Sequence, residues 1–474
     1  MGSTKIFAIA IAAVVVVAGV AAVLIINNES GKTNRTYASG TAGCLQVYGN
    51  ANNDYYIDNS DVELIEKIIK EETDWKTNYP FADADFNGEV NSADVDFTKN
   101  IINATKENKA EANILCFTTD KVNGYVEKIK VPATAASFNY NTTTIVALMA
   151  MGIVNEFVAT TGPATPSVEP VIAKDYAQFL EHKIGDRSCD VDATRAGNYI
   201  KDKEDPMTLF LFSNANTYDY YGIRPSLNNL GVGVITINDS SSDPLEYASC
   251  MLALGFIFGA DGNDYVSKSV KMAEWLVDFN ENYNKILEKT NAPGFVKKKA
   301  VVTSSINRVS GPQSSNTKNL KYAGLEAALT VENTESVGNS NTLNYNYQSD
   351  TWLNKIDVDM CIMLSSAYND KWQWFSNDNT ASKTTVPTNM IDGIQQFSTM
   401  KNYKNTVCTS LSYPSPFRNM LLCEIAYPDL FEGEKGAREY MQDFYHQFAG
   451  WDADCMKDYI LYTTPAMIGL ITES

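Results

Sequence analysis

Histidine is almost missing from this chain: there are two among 474 residues, His182 and His446. A free Zn²⁺ or Mn²⁺ centre of the His/carboxylate kind has little to build on, which favours a chelated metal over a bare ion. His182 lies in a charged helical stretch and His446 in FYHQF, where ordinary surface or core roles are expected. The eight cysteines, Cys44, Cys116, Cys189, Cys250, Cys361, Cys408, Cys423 and Cys455, are scattered without a CxxC pair, so no metal-cluster spacing exists. Cys250 and Cys361 sit inside apolar runs and read as buried small hydrophobes. Positive charge is also short, with 38 Lys and Arg against 57 Asp and Glu and a net charge of −19. That balance argues against nucleic acid and against anionic membrane surfaces as partners. No Ser/His/Asp constellation stands in a recognisable turn, and phosphate loops and dinucleotide fingerprints are missing, so the chain is not expected to be an enzyme.

With 44% apolar residues the chain has enough material for two or three domains. Ile6 to Ile26 is an uninterrupted apolar run, preceded by Lys5 and followed by Asn27, Asn28 and Glu29. It is long enough, at about 20 residues, to cross a membrane as one helix, with the soluble part outside the cell. A cleaved signal peptide is the competing reading, and a retained anchor is favoured because no small-x-small site follows directly. Ala42-Gly43-Cys44 imitates the end of a lipoprotein box, but it stands too far from the apolar run.

One unit then occurs twice. Asn50, Asn52, Asp54, Tyr56, Asp58 and Asp61 are followed by VELIEKIIK, and Asp83, Asp85, Asn87, Glu89, Asn91 and Asp94 by VDFTKNII. Oxygen side chains fall at loop positions 1, 3, 5, 9 and 12, and position 7 (Tyr56, Glu89) offers its carbonyl. Ca²⁺ takes about six to eight oxygens, and a turn of this spacing points alternate side chains inward; a pair of acidic Asx turns without an ion is the alternative for each loop. The loops differ: the first carries neutral Asn50 and Asn52, and at position 6 has Tyr55 where the second has Gly88. This stretch, Gly43 to Thr105, resembles the type I dockerin family, a duplicated calcium loop and helix. The resemblance implies a fold that needs Ca²⁺ and a helix face that binds a cohesin domain, with the recognition positions falling on Asn59 and Ser60 and on Ser92 and Ala93. Val62, Ile65, Ile68 and Ile69, with Val95, Phe97, Ile101 and Ile102, are expected to form the module's core.

After a charged linker, Lys106 to Glu111, the pattern becomes α/β. Strands are expected at Tyr125–Val131, Thr208–Phe212, Gly233–Ile237, Ala300–Ser304 and Asp359–Leu364, and Thr144–Val158 reads as a helix broken at Gly152 and then a strand. Between the two groups, Asp264 to Thr290 keeps a helical period on two stripes. Val266, Val270, Ala273, Leu276, Val277, Tyr283 and Leu287 form one, and Met272, Trp275, Phe279 and Ile286 the other. A helix buried on two sides near the middle of the soluble segment suits a bridge between two lobes, and a long helix inside one α/β core is the alternative.

That order of patterns resembles the solute-binding proteins of ABC importers for siderophores, haem and cobalamin. It is carried most by FRNMLLCEIAYPDLF and EYMQDFYHQFAG, and it covers Val122 to about Asp454. The implied fold is α/β: two Rossmann-like lobes joined by one long rigid helix, preceded here by a small all-α calcium-loop module and an N-terminal transmembrane helix. The layout is an anchor or signal segment (1–30), a linker (31–42), the module (43–105), a first lobe (112–262), the bridging helix (263–291) and a second lobe (292–474). The implied partners are an ABC permease and a metal-chelate ligand. The family's docking glutamate is replaced by Ser349-Asp350-Thr351-Trp352, so Asp350 and, in the first lobe, Glu169 are the permease-contact candidates.

Ligands of open α/β sheets lie at the carboxyl ends of the strands. The loops there supply Tyr218, Tyr220 and Tyr221 on one side and Tyr368, Trp372, Trp374 and Phe375 on the other. Such faces suit a flat macrocycle or catecholate, and Arg308 and Arg418 suit an anionic group. Packing is the alternative role for each of these side chains. The alternative for the whole chain is a cell-surface interaction protein without transport, which the missing glutamate and the Asn/Ser-rich insert Thr330 to Ser349 favour.

Overall fold

The computed structural model describes residues 23–26, 35–38, 42–117, 123–139, 141–162, 179, 182–186, 191–213, 220–259, 264–305, 308–332, 344–346, 354–365, 388–411, 413–452, 454 and 461–471. The N-terminal apolar run does not end as a helix. Its last four residues form β1 (Val23–Ile26), antiparallel to β2 (Arg35–Ala38) and parallel to β4 (Asn123–Val131). Residues 1–22 lie outside the described part, and among the described residues no helix is long and apolar enough to cross a membrane.

The duplicated unit forms two capped helices, α1 (Asn59–Glu71) and α2 (Ser92–Ile102). Both start with a capping box: Asp58 with Asp61 in the first, Asn91 with Asp94 in the second. Val62, Ile65, Ile68 and Val95 pack with Ala51 and Ala82 in a small core, as expected, but Ile69 is exposed. Ile101 turns away from that core into the main one, where Leu45 and Val47 join it.

The charged linker is also corrected. Strand β3 (Ala110–Phe117) begins inside it and pairs antiparallel with β4 along its whole length. β3 also grips the module. Tyr48 N–H donates to the Asn113 carbonyl at 3.0 Å and Leu115 N–H to the Gln46 carbonyl at 3.2 Å. The buried Asn113 amide donates to the Ala84 carbonyl at 2.8 Å. Tyr48 stands edge-on to Phe81 and Phe86, so module and hairpin share one apolar cluster. The module is therefore built into the body of the protein, and the sequence could not show this because every contact is made across a distance along the chain.

The next five strands are β5 (Ala136–Phe138), β6 (Phe157–Thr161), β7 (Lys183–Gly185), β8 (Leu209–Ser213) and β9 (Gly233–Ile237). They form one all-parallel sheet in the order β7-β6-β5-β8-β9. Their near-continuous apolar character, with β8 buried at all five positions, fits strands covered on both faces. Helices α3 (Thr142–Met151), α4 (Tyr220–Asn228) and α5 (Pro244–Phe258) belong to this half.

A second, separate sheet follows: β10 (Lys299–Ser305), β11 (Arg308–Ser310), β12 (Glu326–Ala327), β13 (Asn344–Asn346), β14 (Met360–Ser365), β15 (Thr406–Ser410) and β16 (Tyr462–Thr463). Its order is β13-β11-β10-β14-β15-β16, with β12 beside β10. β10, β14 and β15 run parallel in the middle, and β11, β13 and β16 are antiparallel neighbours.

Between the sheets runs α6 (Tyr265–Thr290), 26 residues and about 39 Å long. Asp264 is its N-cap residue, although its side chain makes no capping bond. On one side α6 lies so close to α5 that a Cβ on Gly255 would overlap the Ser269 hydroxyl. On the other side Trp275 and Phe279 stack together and meet Phe417 of α7 (Ser415–Ala426) and Tyr440 and Phe444 of α8 (Ala437–Ala449) edge-on or tilted. Both expected stripes are thus used, except that Val266 is exposed. Cys250 and Cys361 are buried, as expected, and Cys44, Cys116, Cys408 and Cys423 are buried too.

Candidate functional site

In the first sheet the strand order reverses between β5 and β8, which makes their carboxyl ends the topological switch point. Short polar side chains collect there. Asn139, just past β5, accepts the Ser213 N–H through its Oδ1 at 2.6 Å. The Ser213 hydroxyl, at the end of β8, donates to Asp239 Oδ1 at 2.7 Å. Thr143 and Thr144, in the first turn of α3, donate to Asp239 Oδ2 at 3.0 and 2.5 Å. Asp239 follows β9 and is fully buried. Its carboxylate is held by three hydroxyls at the start of a helix, where the backbone dipole also favours negative charge. The nearby Asn139 Nδ2 has no partner. None of Asn139, Thr143, Thr144 and Asp239 stands among the candidates read from the sequence. The one available signal was the short polar residue ending each apolar strand.

Burial raises the Asp239 carboxyl above its ordinary value of 3.8, against the opposing pull of Thr144, Ser213 and Thr143. A group whose folded pKa exceeds its unfolded one stabilises the fold through its bound proton. That contribution is complete below the unfolded value and is lost as pH rises through the folded one. Wild-type stability relative to Asp239→Asn is therefore expected to fall as pH rises above the ordinary carboxyl value of 3.8. Urea titrations of the two proteins across that rise check this, and a difference that stays flat or grows would contradict it.

The loop after β9 faces the second half. Asp243 and Glu246 lie close enough to Tyr322 to add to the rise that burial causes in its hydroxyl. The Tyr283 hydroxyl of α6 donates to the Tyr322 carbonyl at 2.6 Å. In the second half, Arg418 is placed in the first turn of α7, beyond the carboxyl end of β15. It is buried, donating to the Leu411 carbonyl at 3.1 Å and to the Ser415 hydroxyl at 3.0 Å. Burial pulls its pKa down to about 10, and no carboxylate lies within ion-pair distance among the described residues. Arg308 opens β11, which lies between β13 and β10 in the second sheet, and Tyr220 and Tyr221 open α4. Tyr218, Tyr368, Trp372, Trp374, Phe375, Glu169 and Asp350 lie outside the described residues.

The two loops of the module are matched almost bond for bond. Asp61 accepts from the N–H groups of Asn52 and Asp58, and Asp94 from those of Asp85 and Asn91. Asn53 and Phe86, at position 4 of each, share a positive φ of 56° and 61°. In the second loop Asp83, Asp85 and Asp94 offer carboxylate oxygens that all lie within 4.8 Å of one another. Gly88, at φ 104°, lets its N–H reach Asp83 Oδ2 at 2.8 Å. This donor set, three carboxylates with Asn87, Asn91 and the Glu89 backbone beside them, fits a hard cation. Asn59, Ser60, Ser92 and Ala93 are all exposed at the helix starts.

No family model and no curated protein matches the chain. Solved structures do show similarity in fold. A periplasmic solute-binding protein from Veillonella parvula is 16% identical, covers 74% of this chain and 97% of its own, and has a TM-score of 0.48. The Helicobacter pylori protein Ceue with Ni(II) bound is 12% identical over 70% and 96%, with a TM-score of 0.47. The molybdate-binding protein MolA of Haemophilus influenzae is 10% identical over 71% and 98%, also at 0.47.

Proposed function

We propose that the chain is the solute-binding protein of an ABC importer and captures a metal complex, a ferric siderophore, haem or a corrinoid, between its two α/β halves. The observation that carries this reading is α6, a single helix packed on α5 of the first half on one side and on α7 and α8, which follow β15 of the second sheet, on the other, with no strand pairing between the two sheets among the described residues. A stiff link of this kind permits only modest lobe adjustment on binding. Arg418 is the candidate anchor for an anionic oxygen, because a guanidinium buried without a carboxylate gains most from a charged acceptor. Tyr218, Tyr220, Tyr221, Arg308, Tyr368, Trp372 and Trp374 are the remaining wall candidates, and Asp350 and Glu169 the permease contacts.

In this reading the part of the N-terminal run that precedes β1 anchors the protein at the outer face of the membrane. The second calcium loop holds Ca²⁺ through Asp83, Asp85, Asn87, Glu89, Asn91 and Asp94, which locks the module, while the exposed helix starts serve a cohesin-like partner. Tryptophan fluorescence titrated with haemin, a ferric catecholate and cyanocobalamin tests the capture step. Saturation by one of them at one per chain is expected in calcium. If none saturates in calcium or in chelator, capture is withdrawn and the cell-surface interaction reading takes its place.

A further inference from the structure

The resemblance assigns an ion to each loop, yet the first loop does not fit one. Asn50 is fully buried at loop position 1. Its Nδ2 donates to two carbonyls, Leu45 at 2.7 Å and Asp54 at 2.9 Å, while its Oδ1 accepts the Asp54 N–H at 3.2 Å. These partners fix the orientation, since the flipped amide would press its oxygen against two carbonyl oxygens. Asn52 repeats the pattern, with Nδ2 donating to Asp54 Oδ2 at 2.8 Å and to the Ser60 hydroxyl at 3.0 Å. The Asn50 N–H donors therefore fill the inward position that a cation needs as an oxygen, whereas the Asn52–Asp54 bond has a counterpart in the second loop, where Asn87 Nδ2 donates to Asp85 Oδ2 at 2.8 Å. The atom of the second loop that matches Asn50 Nδ2, Asp83 Oδ2, is an acceptor instead.

The same loop packs against the body of the protein. Tyr55, at the position where the second loop has Gly88, is half-buried with Ile57 against the main core. Burial, followed by the Glu274 and Asp278 carboxylates of α6, pushes its hydroxyl up to about 12. Gly43, a few residues before the loop, donates its N–H to the Ser249 hydroxyl of α5 at 2.9 Å.

We propose that Asn50–Asp61 is a metal-free clasp, in which the Asn50 amide takes the place of an ion and Tyr55 packs the module against the main core. Ion binding by the module then belongs to the second loop alone, a point that rests on the calcium reading given above.

Terbium luminescence titrations of the full chain and of the double variant Asp83→Ala with Asp94→Ala test it. The double variant is expected to show no saturable site. One ion bound per chain in that variant, or two in the wild type, would overturn the clasp. Asn50→Asp supplies an independent arm. A new carboxylate faces the Leu45 and Asp54 carbonyls, so a clasp predicts that the melting temperature in chelator falls by about 2–4 °C and that no second ion is gained. An ion loop predicts a gained site, and that result would also overturn the proposal. Wild type that binds no ion while Asn50→Asp still melts lower would remove the calcium reading of the second loop and leave the clasp standing.

Discussion

Glu127→Ala is expected to cost about 3–5 kcal/mol of stability, because it strands a buried cation. Glu127 on β4 accepts Arg224 Nε at 2.9 Å and Nη2 at 2.5 Å through one oxygen, and the Val234 N–H at 3.0 Å through the other. Both side chains are almost wholly withdrawn from solvent. Arg224 also lies over the Tyr125 ring at 4.8 Å, and the Tyr125 hydroxyl donates to the Val234 carbonyl. The pair therefore ties the hairpin that carries the module to α4 and β9 of the first sheet. Its net contribution is a separate matter, since desolvation offsets much of the attraction. Arg224→Met alone should be nearly as damaging as Glu127→Ala, and Glu127→Met with Arg224→Met much less than their sum. Chemical denaturation of the single and double variants measures this coupling, and strict additivity would show that the two groups do not depend on each other.

How much of this was legible in the sequence depended on how far apart the interacting residues lie. The long helix was legible because its stripes repeat over 26 residues, long enough for the period to outweigh local propensity. β8, β9, β10 and β14 were legible as apolar runs closed by polar loops. β3 was missed because Lys106 to Glu111 reads as solvated charge, and its pairing with β4 is a tertiary fact. β5 has only three residues, below the length at which alternation can be read. The duplicated loops were found from spacing, but the role of Asn50 rests on the Leu45 carbonyl, which spacing does not specify. The Asp239 cluster was hidden for the same reason: Ser213 is 74 residues from Asn139 and 26 from Asp239, and the three meet only because parallel strands bring their carboxyl ends together.

Phe279→Ala is expected to cost about 3–5 kcal/mol and to loosen one half of the molecule more than the other. Phe279 is 1% exposed. Its ring lies 5.9 Å from Trp275 in a stack, 5.2 Å from Phe417 and 4.9 Å from Tyr440, with the last two edge-on. Such pairs add about 0.5–1.5 kcal/mol each beyond the area they bury. All the loss falls on the side of α6 that faces α7 and α8, while the Gly255–Ser269 approach to α5 is untouched. The cavity should therefore uncouple the second half from the helix and leave the first half attached. Hydrogen exchange followed by mass spectrometry is expected to show faster exchange in α7, α8 and β15 than in β8 and β9. Exchange that rises equally in both halves would mean that α6 does not act as a link between two separately stabilised bodies, and the capture reading would lose the rigid connection on which it stands.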